Sequence, residues 1–309
     1  MSVRTIEGPM RRLWERRPFP VQKMGQFLRI ARESHQNPLT GQPRATELVS
    51  PSELGVTFIG HSSFFLQIGG RNILIDPVFA TRLVILRRQR QPGLLIEDLP
   101  PIDAVLVTHA HMDHLNIPSL RRVVRATRRL RGRAPEIVVP HGVEDLVSHL
   151  GFRRMHTLKW WQQLELAGLS ITLTPCRHWG ARMFKDTYRG YGGYVIASGF
   201  HSIYHSGDTA YFDGFREIGA RLSPQVALLP IGAYFPDSYR TVHTSPEEAV
   251  RAFVETGARW MIPMHYGTFP LGREPMDEPV QRLRAEAQRL GIDNRVQVLE
   301  EGGTLRLEP

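Results

Sequence analysis

The chain has 309 residues, a formal charge of +9, 41 % hydrophobic residues and 22 % charged residues, which is ordinary for a folded protein of one or two domains. No run approaches the roughly 18 apolar residues that a membrane-spanning helix needs, and the N-terminus lacks the apolar stretch of a secretory signal. The single cysteine excludes an internal disulfide, so we expect a cytoplasmic protein.

Residues 1–50 differ in composition from the rest of the chain. They contain several prolines and one short helix candidate over residues 21–34. This pattern predicts an N-terminal arm that packs on a single domain formed by residues 51–309, rather than a domain of its own.

From residue 55 onward, short β-rich runs come first and helices are interleaved later. Strands are predicted over 55–60, 63–68, 72–76, 104–108, 136–139, 170–174, 194–198, 202–206, 226–230, 260–264, 296–299 and 304–308. Helices are predicted over 119–130, 245–256 and 278–290. Gly69 and Gly70 indicate a hairpin, and Ser245 with Glu248 forms a potential capping box. This order of strands and helices along the chain favours a layered α/β domain with mixed sheets.

Four metal-competent side chains follow the strand predicted over 104–108. They are His109, His111, Asp113 and His114, all within six positions. The first two are separated by one residue, so an extended chain projects both to the same side. Imidazole and carboxylate together suit zinc or another first-row divalent ion. A lone histidine is usually structural, but this spacing at the end of a strand predicts a metal site.

The segment His109-Ala-His111-Met-Asp113-His114 resembles the HxHxDH signature of the metallo-β-lactamase superfamily. Three further residues resemble the remaining ligands of that family, namely His178 in TPCRHWGAR, Asp208 in HSGDTAYF and His265 in IPMHYGTF. The resemblance implies an α/β fold of four layers, αββα, with two mixed sheets sandwiched between helices. It also implies two divalent metal ions, with zinc expected first and manganese or iron as alternatives.

The same resemblance implies how the ligands are divided between the two ions. One ion would be held by His109, His111 and His178. The other would be held by Asp113, His114 and His265, and Asp208 would bridge the two.

Other segments resemble the N-acyl-phosphatidylethanolamine-hydrolysing phospholipase D family, including FIGHSSF (58–64), LIDPVF (74–79), GDTAYF (207–212), LPIGAY (229–234) and HTSPEEAV (243–250). This implies hydrolysis of a small-molecule or lipid phosphodiester by a hydroxide held between the metals. Asp113 and His243 are the predicted catalytic residues, with His243 as proton donor or phosphate contact. A capping or solvated loop histidine is the alternative for His243.

Several more residues are predicted to lie near the site. The resemblance places His61 and Asp76 at the pocket floor, where Asp76 could accept a ring N–H from a metal-bound histidine. A core histidine is the alternative for His61. Trp179 and Tyr234 are predicted pocket residues. Further aromatic residues could line an acyl groove or belong to the core, namely Trp160, Trp161, Phe184, Phe235 and Phe269.

Three alternative functions stay open. A lactonase or another ester or amide hydrolase could use the same scaffold. An RNA-processing nuclease is disfavoured, because Met112 stands where such enzymes usually carry glycine, so nucleic acid is not an expected partner. A non-hydrolytic di-iron redox or scaffold protein is disfavoured because the hydrolytic ligand pattern is intact.

Arginine clusters at 11–17, 82–90 and 121–133 either face water or attract phosphates, on nucleic acid or on a lipid surface. A peripheral contact with the inner face of the membrane is therefore a hypothesis, and the sequence leaves a homodimer open.

Overall fold

A computed structural model of the protein describes residues 3–5, 22–183 and 186–309. The strands are β1 (Val3–Thr5), β2 (Leu54–Gly60), β3 (Ser63–Ile68), β4 (Arg71–Ile75), β5 (Arg82–Leu83), β6 (Leu86–Arg87), β7 (Ala104–Leu106), β8 (Glu136–Pro140), β9 (Met155–Leu158), β10 (Gln162–Leu166), β11 (Leu169–Thr174), β12 (Gly193–Ser198), β13 (His201–His205), β14 (Val226–Pro230), β15 (Trp260–Met264) and β16 (Thr304–Leu307). The α-helices are α1 (Gln22–Gln36), α2 (Ile117–Arg131), α3 (Glu144–Val147), α4 (Gly214–Leu222), α5 (Pro246–Thr256) and α6 (Glu278–Arg289).

Two large mixed sheets organise these strands. Sheet A has the order β1-β10-β11-β12-β13-β14-β15, and sheet B has the order β16-β2-β3-β4-β7-β8-β9. In sheet A the pairs up to β13 are antiparallel and the last two are parallel. In sheet B the pairs up to β4 are antiparallel and the rest are parallel. The parallel halves bring several strand ends to one edge of each sheet.

The main hydrophobic core lies between the two sheets. Phe64 and Leu66 of β3 pack there with Ile171 of sheet A, whereas Phe65 points to the opposite side of sheet B. On that side Phe65 shares a second cluster with Leu120 of α2. Because alternate residues of a strand face opposite sides, both faces of sheet B are buried and its strands are apolar throughout.

Helices cover the outer faces of both sheets. Helix α2 lies on sheet B, and α5 packs on β14 of sheet A between α4 and α6. The predicted four-layer αββα arrangement is confirmed. In the part of the chain that the structure describes, no helix combines the length and the apolar character that a membrane crossing requires.

Local signals in the sequence predicted several connections correctly. Gly69 and Gly70 form the two-residue turn between β3 and β4, and both have positive φ, as a type I′ turn requires. Helix α5 begins with the full capping box of Ser245 and Glu248. Helix α2 begins two residues earlier than predicted, because Asn116 caps it by accepting from the Ser119 backbone N–H.

One predicted strand is wrong. Residues 296–299 form no strand and meet β15 only through a single bridge from Val296 to Met261. The reason is topological, since β15 belongs to sheet A and β16 to sheet B, so the chain must leave one sheet and cross to the other over 296–303. The pattern also missed β9, β10 and α4.

The N-terminal arm is described only in part. Helix α1 confirms the helix candidate, and β1 adds an unpredicted edge strand to sheet A by pairing with β10. The first arginine cluster, at 11–17, and Phe184 lie outside the described residues. The division into an arm and a single domain over 51–309 stays a prediction.

Candidate metal centre

Seven histidines and three aspartates meet at one edge of the sandwich. Each follows a strand or precedes a helix, and the strands that end here include β4, β7, β13 and β15. The convergence arises because parallel strands end at the same edge of a sheet. The ten residues are His61, Asp76, His109, His111, Asp113, His114, His178, Asp208, His243 and His265.

Three of these residues have a left-handed backbone. The φ angles of His61, Asp76 and His265 are 58°, 43° and 60°. Such angles cost roughly 1 to 2 kcal/mol for a residue with a side chain. Hydrogen bonds hold two of them in place, since the His61 N–H donates to Thr268 Oγ1 (2.7 Å) and the His265 N–H donates to the His61 carbonyl (2.9 Å). The two histidine turns therefore fix one another.

The first group contains three histidine nitrogens at close range. His111 Nδ1 lies 2.8 Å from His109 Nε2 and 3.2 Å from His178 Nε2. Asp208 Oδ2 is 3.9 Å from the Nε2 atoms of His109 and His178. Burial lowers the pKa of His111 to about 3 and that of His178 to about 4, so both rings are neutral at pH 7.

Hydrogen bonds define which nitrogens of this group carry lone pairs. His178 Nδ1 must donate to the Val242 carbonyl (2.9 Å), because a carbonyl can only accept. The Thr108 hydroxyl donates to Asp76 Oδ2 (2.6 Å), so it accepts from His109 Nδ1 (2.9 Å). The Nε2 lone pairs of His109 and His178 therefore point at the same place. Lone pairs that converge in this way fit a cation of the zinc class.

The second group is arranged around Asp113. Its Oδ2 atom lies 3.1 Å from His61 Nε2, 3.6 Å from His265 Nε2 and 3.7 Å from His114 Nε2. The third histidine, His114, donates from Nδ1 to Asp76 Oδ2 at 2.6 Å. This bond leaves His114 Nε2 directed at the carboxylates. Although burial opposes a charged ring, Asp208, Asp76 and Asp113 raise the pKa of His114 well above its usual value, and a metal in place of the Nε2 proton would complete a carboxylate–histidine–metal triad.

Asp208 lies between the two groups. Its Oδ1 atom is 3.2 Å from His114 Nε2 and its Oδ2 atom is 3.0 Å from His265 Nε2. Although burial opposes a charged ring, Asp208 and Asp113 raise the pKa of His265 to about 9. A divalent cation would take the place of that proton, because carboxylates and histidine nitrogens are its ordinary ligands.

His243 also borders both groups. Its ring stacks on His265 with centroids 5.1 Å apart, and its Nδ1 lies 3.9 Å from Asp208 Oδ2. Burial lowers the pKa of His243 well below its usual value, so the ring is neutral. A neutral imidazole can donate one hydrogen bond but carries no extra proton to transfer. This favours His243 as a phosphate contact over His243 as a proton donor.

The predicted pocket aromatics separate into two sets. The Trp179 ring meets the edge of His111, with centroids 4.5 Å apart, and Phe269 meets His61 at 5.4 Å. Tyr234 instead donates from its hydroxyl to Glu278 (2.7 Å), in a cleft of about 250 Å³ beside α5 and α6. Trp161 is buried in the main core.

The sequence interpretation missed two residues that orient the histidines. Thr108 directly precedes the motif, but its hydroxyl role depends on Asp76 from another strand. The Val242 carbonyl carries no sequence signal at all, because any residue could supply it. His61 was assigned to the pocket floor, whereas the structure places its Nε2 among the atoms of the second group.

The family of the chain follows from its match to known proteins. The model of the beta-lactamase superfamily domain matches residues 71–266. The chain therefore belongs to the metallo-β-lactamase superfamily and is a metal-dependent hydrolase, as the motif predicted.

Several known proteins are similar to the chain over most of its length. An uncharacterised protein of Mycobacterium bovis is 34 % identical over 301 residues, covering 91 % of this chain and 78 % of that protein. N-acyl-phosphatidylethanolamine-hydrolyzing phospholipase D 1 of Caenorhabditis elegans is 30 % identical over 259 residues, covering 78 % and 71 %. The solved structure of a metallo hydrolase from the archaeon Ignicoccus hospitalis has a TM-score of 0.63 at 28 % identity, covering 83 % and 99 %.

Proposed function

We propose that the protein is a dinuclear phosphodiesterase of phospholipase D type that acts on N-acyl-phosphatidylethanolamine-like lipids. The observation that carries the proposal is the position of Asp208 between two groups of ligand atoms whose lone pairs converge. His109, His111 and His178 would hold one ion, and Asp113, His114 and His265 would hold the other. Zinc is the metal we propose, since imidazole and carboxylate suit it.

The ions and the chain would contribute different parts of the chemistry. When bound, two divalent ions lower the pKa of water toward 7 and offset the charge on a phosphoryl oxygen. Asp113 and Asp208 would hold those ions. His243 donates a hydrogen bond to a phosphoryl or leaving-group oxygen, because its ring is neutral and borders both groups.

Two features support a lipid as the substrate. The relative from Caenorhabditis elegans has a name that states hydrolysis of an N-acyl-phosphatidylethanolamine. Aromatic side chains also meet the ligand histidines, with Trp179 against His111 and Phe269 against His61. Trp179 is partly exposed and suits the acyl chains of a lipid, whereas Phe269 is buried behind His61.

The test is hydrolysis of a panel by the purified metal-loaded protein. The panel contains N-acyl-phosphatidylethanolamine, bis-p-nitrophenyl phosphate, lactones and carboxyl esters. We expect release of phosphatidic acid, abolished in His111→Ala and retained in His156→Ala, which changes a histidine paired with Glu136 outside the cluster. Cleavage of lactones or esters with no phosphodiester cleavage would replace the phospholipase proposal with the lactonase alternative.

A further inference from the structure

The hairpin of β5 and β6 stands apart from the two large sheets. Leu83 and Leu86 pair across it and are buried in a small cluster with Val78 and Phe269. The two turn residues point the other way, so that Val84 is 70 % exposed and Ile85 is 37 % exposed. The hairpin therefore has an apolar base inside the protein and an apolar tip in solvent.

Val84 at the tip of the hairpin is an unfavourable residue for its position in the turn. Val84 has a φ of 53°, and a β-branched residue at positive φ is a genuine outlier. In a two-residue hairpin turn with positive φ at its first position, glycine is the favoured residue there. Valine costs backbone energy at this position, and its exposed side chain gains little packing in return. A residue that costs stability in the isolated protein points to a contact outside it.

The surroundings of the hairpin are strongly basic. Residues 29–43 and 77–95, which contain the hairpin and the part of α1 beside it, hold six arginines and one carboxylate, Glu33. Glu33 pairs with Arg29, whereas Arg32 and Arg82 are exposed. Arg88 is buried and Arg90 pairs with Glu301, so neither faces a lipid. An apolar tip beside the exposed Arg82 and Arg32 is complementary to an anionic lipid surface.

The hairpin is held firmly by α1. The Arg87 backbone N–H donates to Ser34 Oγ (3.0 Å), and Gln89 Nε2 donates to the Ser34 carbonyl (3.0 Å). Ala31 of α1 also belongs to the apolar cluster at the hairpin base. The tip is therefore presented on a fixed support, which lowers the entropy cost of docking.

The hairpin also lies close to the metal centre. Phe269 packs with Leu83 and Leu86 on one side and meets the His61 ring on the other, with centroids 5.4 Å apart. His61 in turn lies 3.1 Å from Asp113. A single layer of side chains thus separates the hairpin base from the second ligand group.

We propose that the β5–β6 hairpin docks the enzyme on an anionic lipid bilayer. Val84 and Ile85 enter the interfacial region of the bilayer, and Arg82 and Arg32 contact the headgroups. The metal centre is thereby held beside the membrane, where a lipid substrate can enter from the bilayer. The benefit to catalysis rests on the proposed function, but the docking itself does not require turnover.

The experiment measures binding of the full metal-loaded chain to vesicles. The vesicles contain phosphatidylglycerol and phosphatidylcholine, and flotation gives the partition coefficient. In Val84→Gly/Ile85→Ser we expect a decrease of about tenfold, because two apolar side chains no longer enter the lipid. The thermal midpoint of this variant should not fall, since glycine suits the turn, and its metal content should not change.

Two matched controls separate the hairpin from general surface effects. Phe200→Asn removes an aromatic residue that is 87 % exposed at the turn between β12 and β13, and it should leave partitioning unchanged. Arg82→Glu should lower partitioning about fivefold or more, whereas Arg121→Glu on α2 should have a smaller effect.

Several outcomes would overturn the proposal. One is that the wild-type protein stays in the dense fraction at low salt. Another is that the hairpin variant floats with the vesicles as well as the wild type does. A hairpin variant that loses only a dimer in sedimentation would identify the tip as a protein contact instead. Vesicle binding without hydrolysis of any lipid would reject the proposed substrate and leave the docking proposal standing.

Discussion

Asp76 connects the fold to the predicted ligands. Its carboxylate accepts from the Thr108 N–H (2.8 Å), from the Thr108 hydroxyl (2.6 Å) and from His114 Nδ1 (2.6 Å). These bonds hold His114 with its Nε2 atom toward Asp113 and Asp208, and through Thr108 they also orient His109. One buried carboxylate therefore sets the ring orientation in both ligand groups.

We expect Asp76→Asn to lower metal affinity by about tenfold to a hundredfold, because the amide lacks the charge that orients His114. Competition with a chelator of known affinity measures the change. Asp103→Asn is the control. Asp103 directly precedes β7, whereas His109 follows the other end of that strand, and the Asp103 carboxylate pairs with Arg131. Equal affinity in Asp76→Asn and wild type would contradict the orienting role.

His61 is the second residue with a specific expectation. Its Nε2 atom lies 3.1 Å from Asp113 Oδ2, and its ring is buried beside His265. His61→Ala should lower the occupancy of one of the two proposed ions, while His61→Gln should retain part of that occupancy by donating to Asp113. Metal content after dialysis against a chelator measures both. Two full equivalents of metal in His61→Ala would show that His61 contributes nothing.

At the scale of elements, the site depends on loops that pass one another without room for side chains. Gly232 follows β14, and a Cβ atom there would lie 2.1 Å from the His265 carbonyl oxygen. That carbonyl belongs to the turn after β15, which carries His265 with its positive φ. A single methyl group would therefore move a predicted ligand.

Gly232→Ala should destabilise the protein by about 1 to 3 kcal/mol through overpacking, and it should reduce metal content. Urea unfolding and metal analysis test the two effects. Gly257→Ala is the matched control, because Gly257 has a φ of 68° but nothing within 4 Å of its added Cβ atom. It should cost about 1 kcal/mol from backbone strain and leave metal content intact. Metal loss in Gly257→Ala but not in Gly232→Ala would show that the close approach at Gly232 does not position His265.

At the scale of the whole molecule, the metal centre joins the two sheets. The ligand groups combine residues that follow β2 and β7 in sheet B with residues that follow β11, β13 and β15 in sheet A. Cations bound there would link the two halves of the sandwich. They would also compensate the buried carboxylates of Asp113 and Asp208, in place of the protons that His114 and His265 hold without a metal.

Metal removal should therefore lower stability. Binding at a thousandfold excess over Kd contributes about 4 kcal/mol, and for a chain of this size that corresponds to a decrease of about 6 °C in the thermal midpoint. Calorimetry with and without a chelator measures the shift. The midpoint of His111→Ala should fall less on addition of the chelator than that of the wild type. An unchanged midpoint in the wild type would show that bound metal does not stabilise the fold.

The sequence by itself determined the superfamily, most strand positions and the candidate ligands. These features are local, because the HxHxDH spacing, the Gly69-Gly70 turn and the Ser245 capping box each depend on neighbouring residues. The order of strands and helices also indicated mixed sheets, and the family resemblance implied that there are two. The strand predicted over 296–299 failed because β propensity does not tell where a chain must cross between sheets.

Only the tertiary structure decided how the ligands are oriented and what surrounds them. The positive φ of His61 and His265 depends on hydrogen bonds between distant turns, and the ring orientation of His178 depends on the Val242 carbonyl. The same holds for His61, which lies more than forty residues from the motif yet contacts Asp113. These contacts join segments far apart in the chain, so no local pattern of residues can specify them.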